Sequence, residues 1–201
     1  MKRPSLTLAL LALLSLVAIP LSAEGAGGMF FQVVRPEWNP DFLPEARMPY
    51  KLEYFGGYGY GVSYDGVIVG GFGFSFMDSG LMSPGVDAGK KHLAGGVGGL
   101  IMGARIVGAS VIHLDVAARL GAGGIDYHDP DASFQDMGYA ILYAEPYAEL
   151  GIGFAPWMHL SATVGYAFMA NFVPGEAFSD FINSSPTLGF TLSFGSFERP
   201  W

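Results

Sequence analysis

Few residues in this chain are spaced for chemistry. His159-Leu160-Ser161 sets an imidazole and a hydroxyl two residues apart, so on an extended strand both project from one face. A histidine so placed can activate a serine as nucleophile when a third, acidic group orients it. A second set, Glu53, His113, Asp115, Arg119, Glu145 and Glu149, combines carboxylates, an imidazole and a guanidinium, the last five at even spacings within two segments. The third, His128, Asp129, Asp131 and Asp136, lies in a turn-rich stretch. Its oxygens could hold a hard cation, but the spacing matches no EF-hand loop and a solvated acidic loop is the simpler account. Lys90-Lys91-His92 is a small basic spot, read as a lipid headgroup contact. There is no phosphate-binding loop, nucleotide motif, zinc motif or internal repeat, so no cofactor and no metal site is expected. With no cysteine among 201 residues, disulfides and thiolate metal sites are excluded.

The elements that must carry these residues are strands. From residue 50 onward apolar side chains recur with period two, the mark of a strand with two unlike faces. In Val111–Gly123, Ile112, Leu114, Val116, Ala118 and Leu120 oppose His113, Asp115, Ala117, Arg119 and Gly121. Tyr139–Phe154 sets Leu142, Ala144, Pro146, Ala148, Leu150, Ile152 and Phe154 against Tyr143, Glu145, Tyr147, Glu149 and Gly151. Met158–Phe172 and the segment from Thr187 to Phe194 repeat the alternation. Leu52–Tyr64, Val67–Met77, Leu93–Val107 and the short apolar Gly28–Val34 bring the count to eight, although residues 24–50 could instead form an arm or plug. Long, turn-rich connections at 35–50, 78–92, 127–138 and 173–186 alternate with short ones at Asp65-Gly66, Gly108-Ala109 and Ala155-Pro156-Trp157.

Composition agrees. Only 14% of residues are charged while the mean hydropathy is +0.37; a soluble domain carries roughly 25% charge. No apolar run reaches the ~20 residues of a spanning helix. The net charge of −8 excludes a nucleic-acid partner, which calls for a basic face. Lys2 and Arg3, the apolar Leu6–Ile19 and Leu21-Ser22-Ala23 form a secretory signal peptide, with Ala23 or Gly25 as the last residue removed. The expected organisation is residues 1–23 as signal and 24–201 as one barrel domain. Cleavage after Ala23 removes two basic residues and no acid, taking the charge from −8 to −10.

The expected fold is all-β: an eight-stranded antiparallel up-and-down transmembrane β-barrel, apolar outside and polar within, with both termini at the short-turn end. A lysine or arginine at mid-height outside costs roughly 2–4 kcal/mol, which accounts for the absence of charge from the apolar face of the later strands. An eight-stranded lumen is just wide enough for side chains to fill it, or to hold one small ligand. Glu53, His113, Asp115, Arg119, Glu145 and Glu149 are expected as that filling, a lumen polar network that holds the barrel shut. Pairing residue 127 with 139 puts Arg119 opposite Tyr147; a slip of two puts a glutamate opposite. Either way Arg119 is expected to be ion-paired, since an unpaired buried charge is expensive. A three-residue Tyr64-Asp65-Gly66 loop, closed by glycine at positive φ, gathers Leu52, Tyr54, Tyr58, Tyr60, Val62, Ile68, Phe72, Phe74 and Phe76 on one face. Apolar-out polarity turns that face to lipid, with Tyr54, Tyr58, Tyr60, Tyr64 and Trp157 as interfacial girdles or, deeper, against lipid tails.

The last strand, Thr187-Leu188-Gly189-Phe190-Thr191-Leu192-Ser193-Phe194, resembles the C-terminal assembly signal of outer-membrane barrels. In length and loop rhythm the chain is similar to small eight-stranded outer-membrane proteins such as the OmpA transmembrane domain and OmpX; its glycine-rich blocks resemble uncharacterised bacterial envelope proteins. These resemblances imply the bacterial cell outer membrane, with its lipid, the barrel-assembly machinery and a possible extracellular or envelope partner at the loops as contacts. The implied role is structural or adhesive, not enzymatic. His159-Leu160-Ser161 resembles the His-x-Ser of outer-membrane lipid A deacylases, which keeps a lipid-modifying hydrolase as the alternative. Its place beside the Ala155-Pro156-Trp157 turn and its inward parity favour two ordinary polar residues at the lumen rim. A soluble periplasmic barrel carrying a small apolar ligand is the other alternative.

Overall fold

The computed structural model describes residues 24–35, 37–38, 52–77, 92–108, 111–128, 137–171 and 181–197. The signal peptide, the loop aspartates 129, 131 and 136, and Lys90 and Lys91 lie outside the described residues. The strands are β1 (Glu24–Val34), β2 (Glu37–Trp38), β3 (Leu52–Val62), β4 (Val67–Met77), β5 (His92–Gly108), β6 (Ile112–His128), β7 (Met137–Ala155), β8 (Met158–Asn171) and β9 (Phe181–Ser196). β1 pairs with β3, each later strand pairs with the next, and β9 returns to β1, all antiparallel. This is a closed, eight-stranded, up-and-down β-barrel. The two-residue β2 continues the line of β1 along β9, pairing Glu37 with Ser184 and Trp38 with Asn183. Residues 24–34 therefore form a wall strand rather than an arm.

The β3–β4 turn has the expected odd loop. Val62 pairs with Ile68, Gly66 has φ 83°, its N–H donates to the Ser63 carbonyl at 2.9 Å, and Ser63 N–H donates to Val67 O at 2.8 Å. A side chain at that φ would be strained, and glycine is not. β5 loses its alternation near its end because of a bulge between Arg105 and Val107, which leaves Ile106 exposed.

The two faces follow the expectation over β6–β9. Val116, Leu120, Leu150, Ile152, Val164, Leu188 and Phe190 are exposed outward, while Asp115, Arg119, Glu145, Glu149, Thr163 and Thr191 are buried within. On β3 and β4 the expected polarity is reversed. Tyr54, Phe72, Phe74 and Phe76 are buried in the lumen with Tyr58 and Tyr60 packed against them, and Gly57, Gly59 and Gly73 face out. The reason is volume. The inner positions of β6, β8 and β9 include Ala117, Gly121, Ser161, Thr163, Gly165 and Ser193, too small to fill a lumen that must be close-packed. The facing wall supplies the bulk: Tyr54 stacks on Phe74 at 4.8 Å, and Tyr143 meets Phe74 edge-on at 5.1 Å. Of the expected girdle residues, Tyr64 and Trp157 are exposed at turns, and Trp157 stacks with the outward Phe194 at 6.2 Å.

Candidate functional site

The lumen is two-sided, with aromatic rings on β1, β3 and β4 facing polar groups on β6–β9. Midway along β6, Arg119 pairs in register with Glu145 of β7, the slipped register of the two considered. The guanidinium Nη1 donates to Glu145 Oε2 at 2.7 Å. Three further donors converge on the same carboxylate: Tyr143 OH on Oε2 at 2.9 Å, Gln32 Nε2 on Oε1 at 3.0 Å and Thr187 Oγ1 on Oε1 at 2.7 Å. Those donors come from β7, β1 and β9, so with Arg119 of β6 one anion ties together four of the eight wall strands. The Arg119 guanidinium lies 4.5 Å from the Phe30 ring centroid and 4.3 Å from that of Tyr147. Planar, weakly hydrated guanidinium suits that sandwich, and cation–π attraction is strongest where water is excluded. An ion pair buried this deeply forfeits hydration. The Glu145 carboxylate is compensated by four donors, whereas Arg119 Nε has no hydrogen-bond partner among the described residues and the guanidinium is held by the carboxylate and the two rings.

A second cluster occupies the end of the lumen that carries both termini. Arg105 of β5 grips Asp115 of β6 with two bonds, Nε to Oδ1 at 2.8 Å and Nη2 to Oδ2 at 3.1 Å. Glu149 of β7 accepts from Thr191 Oγ1 at 3.3 Å. His113 Nε2 is 3.6 Å from Glu149 Oε1 and 3.8 Å from Asp115 Oδ2. The His113 Nδ1 faces His159 Nδ1 at 3.0 Å, and the His159 ring stacks on Phe197 at 3.6 Å between centroids. Tyr58 OH bonds Ser193 Oγ across the β1 strand between them.

Five of the six residues singled out in the sequence, His113, Asp115, Arg119, Glu145 and Glu149, are thus placed in these two clusters. Glu53 is not. It pairs in register with Val33 and Met77, on the strand face opposite Tyr54, and is buried there. His159 and Ser161 share the inner face of β8, but they are not bonded to each other: His159 Nδ1 is engaged by His113, and Ser161 Oγ and His159 Nε2 have no hydrogen-bond partner. His159 and Ser161 therefore do not form a nucleophile–base pair with each other. Arg105, Gln32, Tyr143 and Thr187 were not singled out in the sequence. The bulge hid the parity of Arg105, and the others are neutral groups whose partners lie on strands remote in sequence. Among the described residues no group of three or more His, Cys, Asp or Glu could hold a metal ion.

No protein-family model and no curated protein matches the chain. Among solved structures it is similar to Ail, the attachment invasion locus protein of Yersinia pestis, at 12% identity and TM-score 0.52, covering 86% of this chain and 99% of that one. A structure of Ail in complex with the heparin analogue sucrose octasulfate matches at 11% identity and TM-score 0.53, covering 86% of this chain and 99% of Ail. Neisserial surface protein A, NspA, matches at 9% identity and TM-score 0.53, covering 88% of this chain and 98% of that one. At such low identity the shared property is the fold: this chain has the architecture of small eight-stranded outer-membrane barrels.

Proposed function

We propose that the protein is an integral outer-membrane barrel, closed to free diffusion by its packed lumen, which acts through the loops at 35–50, 78–92, 127–138 and 173–186 as a structural or surface-contact protein of the envelope. The observation that carries this is the apolar outer wall of β6–β9, whose one exposed charged residue among those described, Asp126, lies at the loop end of β6, around a polar, hydrogen-bonded interior, the inverse of a water-soluble barrel. The fold shared with Ail and NspA supports the same assignment. Residues 1–23 act as an export signal; cleavage after Ala23 would leave Glu24, the first residue of β1, as the new terminus. The end bearing the short turns is periplasmic, and Gly189–Phe194 on the closing strand is the segment offered to the barrel-assembly machinery. The four long loops hold ten carboxylate residues against four lysines and arginines. Such loops fit a neutral or cationic partner surface rather than a sulfated glycan or nucleic acid. Membrane fractionation with boiled and unboiled gel samples tests the core of this: outer-membrane recovery with a heat-dependent mobility shift is expected, and a folded, detergent-free soluble protein would overturn it. Ser161→Ala should leave the acyl composition of lipid A unchanged by mass spectrometry; an altered composition would restore the hydrolase alternative.

A further inference from the structure

We propose that Pro146 makes the β7–β8 seam a lateral opening point in the barrel wall, where the two strands part within the membrane and give the Glu145 carboxylate a path from the lipid side. The inference rests on the membrane reading above. Proline in the middle of a sheet removes a ladder hydrogen bond, and is normally confined to edge strands or bulges. This barrel is closed, so β7 has no edge, and Pro146 stands midway along it. On one side of it Ala144 lies opposite Phe168, and on the other Tyr147 lies opposite Gly165. Between them the ladder is interrupted: Glu145 with Ala167 and Pro146 with Tyr166 are not bonded pairs.

Strand parity identifies the lost bond. Gly153 N–H donates to Val111 O beside β6, so odd-numbered residues of β7 bond towards β6 and even-numbered ones towards β8. Gly195 N–H of β9 donates to Trp157 O, so even-numbered residues of β8 bond towards β7. Residues 146 and 166 therefore meet where both N–H groups would be exchanged. Proline supplies none, and the Tyr166 carbonyl loses its ladder donor. On a soluble sheet water would take that place; hydrocarbon offers none. Pro186, opposite Tyr166 on β9, leaves its own seam intact. Its nitrogen turns towards the line of β1 and β2, and the Tyr166–Pro186 pair stays in the ladder. On the lumen side of the interruption β8 presents only Gly165 and the fully buried Ala167. Glu145 is thus the first lumen group reached when the strands part.

Amide hydrogen exchange of the full-length protein in lipid bilayers, read by NMR, tests this. Outer-membrane recovery and the heat-dependent gel shift are established first. Without them the membrane reading fails and takes the inference with it; a negative result in protein that shows both counts against the seam alone. The N–H groups of Ala144 and Phe168 serve the β7–β8 seam beside Pro146, whereas those of Ala117 and Tyr147 bond across β6–β7 close by. The first two should exchange about fivefold or more faster, the weight of one net hydrogen bond. Pro146→Val supplies the missing N–H and should bring both seams to one rate, while Pro186→Val should leave the difference intact. Equal rates in the unsubstituted protein, or a difference that survives Pro146→Val, would overturn the proposal. Should Pro146→Val lose the gel shift, the cysteine-free chain allows a second measurement. A lipid-soluble maleimide should modify Ala167→Cys severalfold faster than Thr163→Cys, further along the inner face of β8; equal rates refute the opening.

Discussion

Glu145 is the anion on which the interior depends. Removing Arg119 leaves that carboxylate buried without its cation, and a broken buried pair costs about 3–5 kcal/mol. Arg119→Ala should therefore lower stability by that amount in urea unfolding monitored by the gel shift. The double substitution Arg119→Met, Glu145→Gln removes both charges while keeping an amide oxygen as acceptor for the neighbouring donors, and should recover part of the loss. If the double variant were as unstable as the two single losses added together, the pair would not act as a unit. At this scale the sequence was partly legible. Inward parity and the cost of an isolated charge pointed to an ion-paired Arg119, but two registers satisfied them, and only the β6–β7 pairing selected Glu145. Gln32 and Thr187 gave no signal, because a neutral side chain on a distant strand carries no pattern of its own.

Strand polarity is the element-scale lesson. Alternation separated the two faces of β3 and β4, and the loop ending at Gly66 fixed which residues share a face. Alternation does not say which face turns inward when one is aromatic and the other is glycine, since both are compatible with lipid. Filling the lumen decides it. Phe74→Ala should accordingly cost about 3–5 kcal/mol, as large-to-small changes in a packed core do. At Gly73, where a β-carbon would meet nothing closer than 3.9 Å, alanine should change stability by less than about 1 kcal/mol. The same unfolding assay checks both, and equal sensitivity at the two positions would contradict the inward placement of the aromatics. On the opposite wall Val164→Arg should cost roughly 2–4 kcal/mol if the residue meets the middle of the bilayer.

For the whole molecule, the barrel class was readable because eight amphipathic segments, alternating loop lengths and low charge all agreed. Closure through β1 and β9 was less so, since Gly28–Val34 is short and its alternation weak; the pairing of Gly25–Val34 with Thr187–Ser196 supplied it. The central claim is that the face of Val164 and Leu188 meets lipid while that of Thr163 and Ser193 meets the lumen. Single cysteines at these four positions, labelled with a fluorophore in the membrane-embedded protein, measure it through quenching by spin-labelled lipid. Strong quenching at 164 and 188 with little at 163 and 193 is the predicted result. Equal quenching at all four, or the reverse pattern, would contradict the inside–outside assignment and the membrane barrel with it.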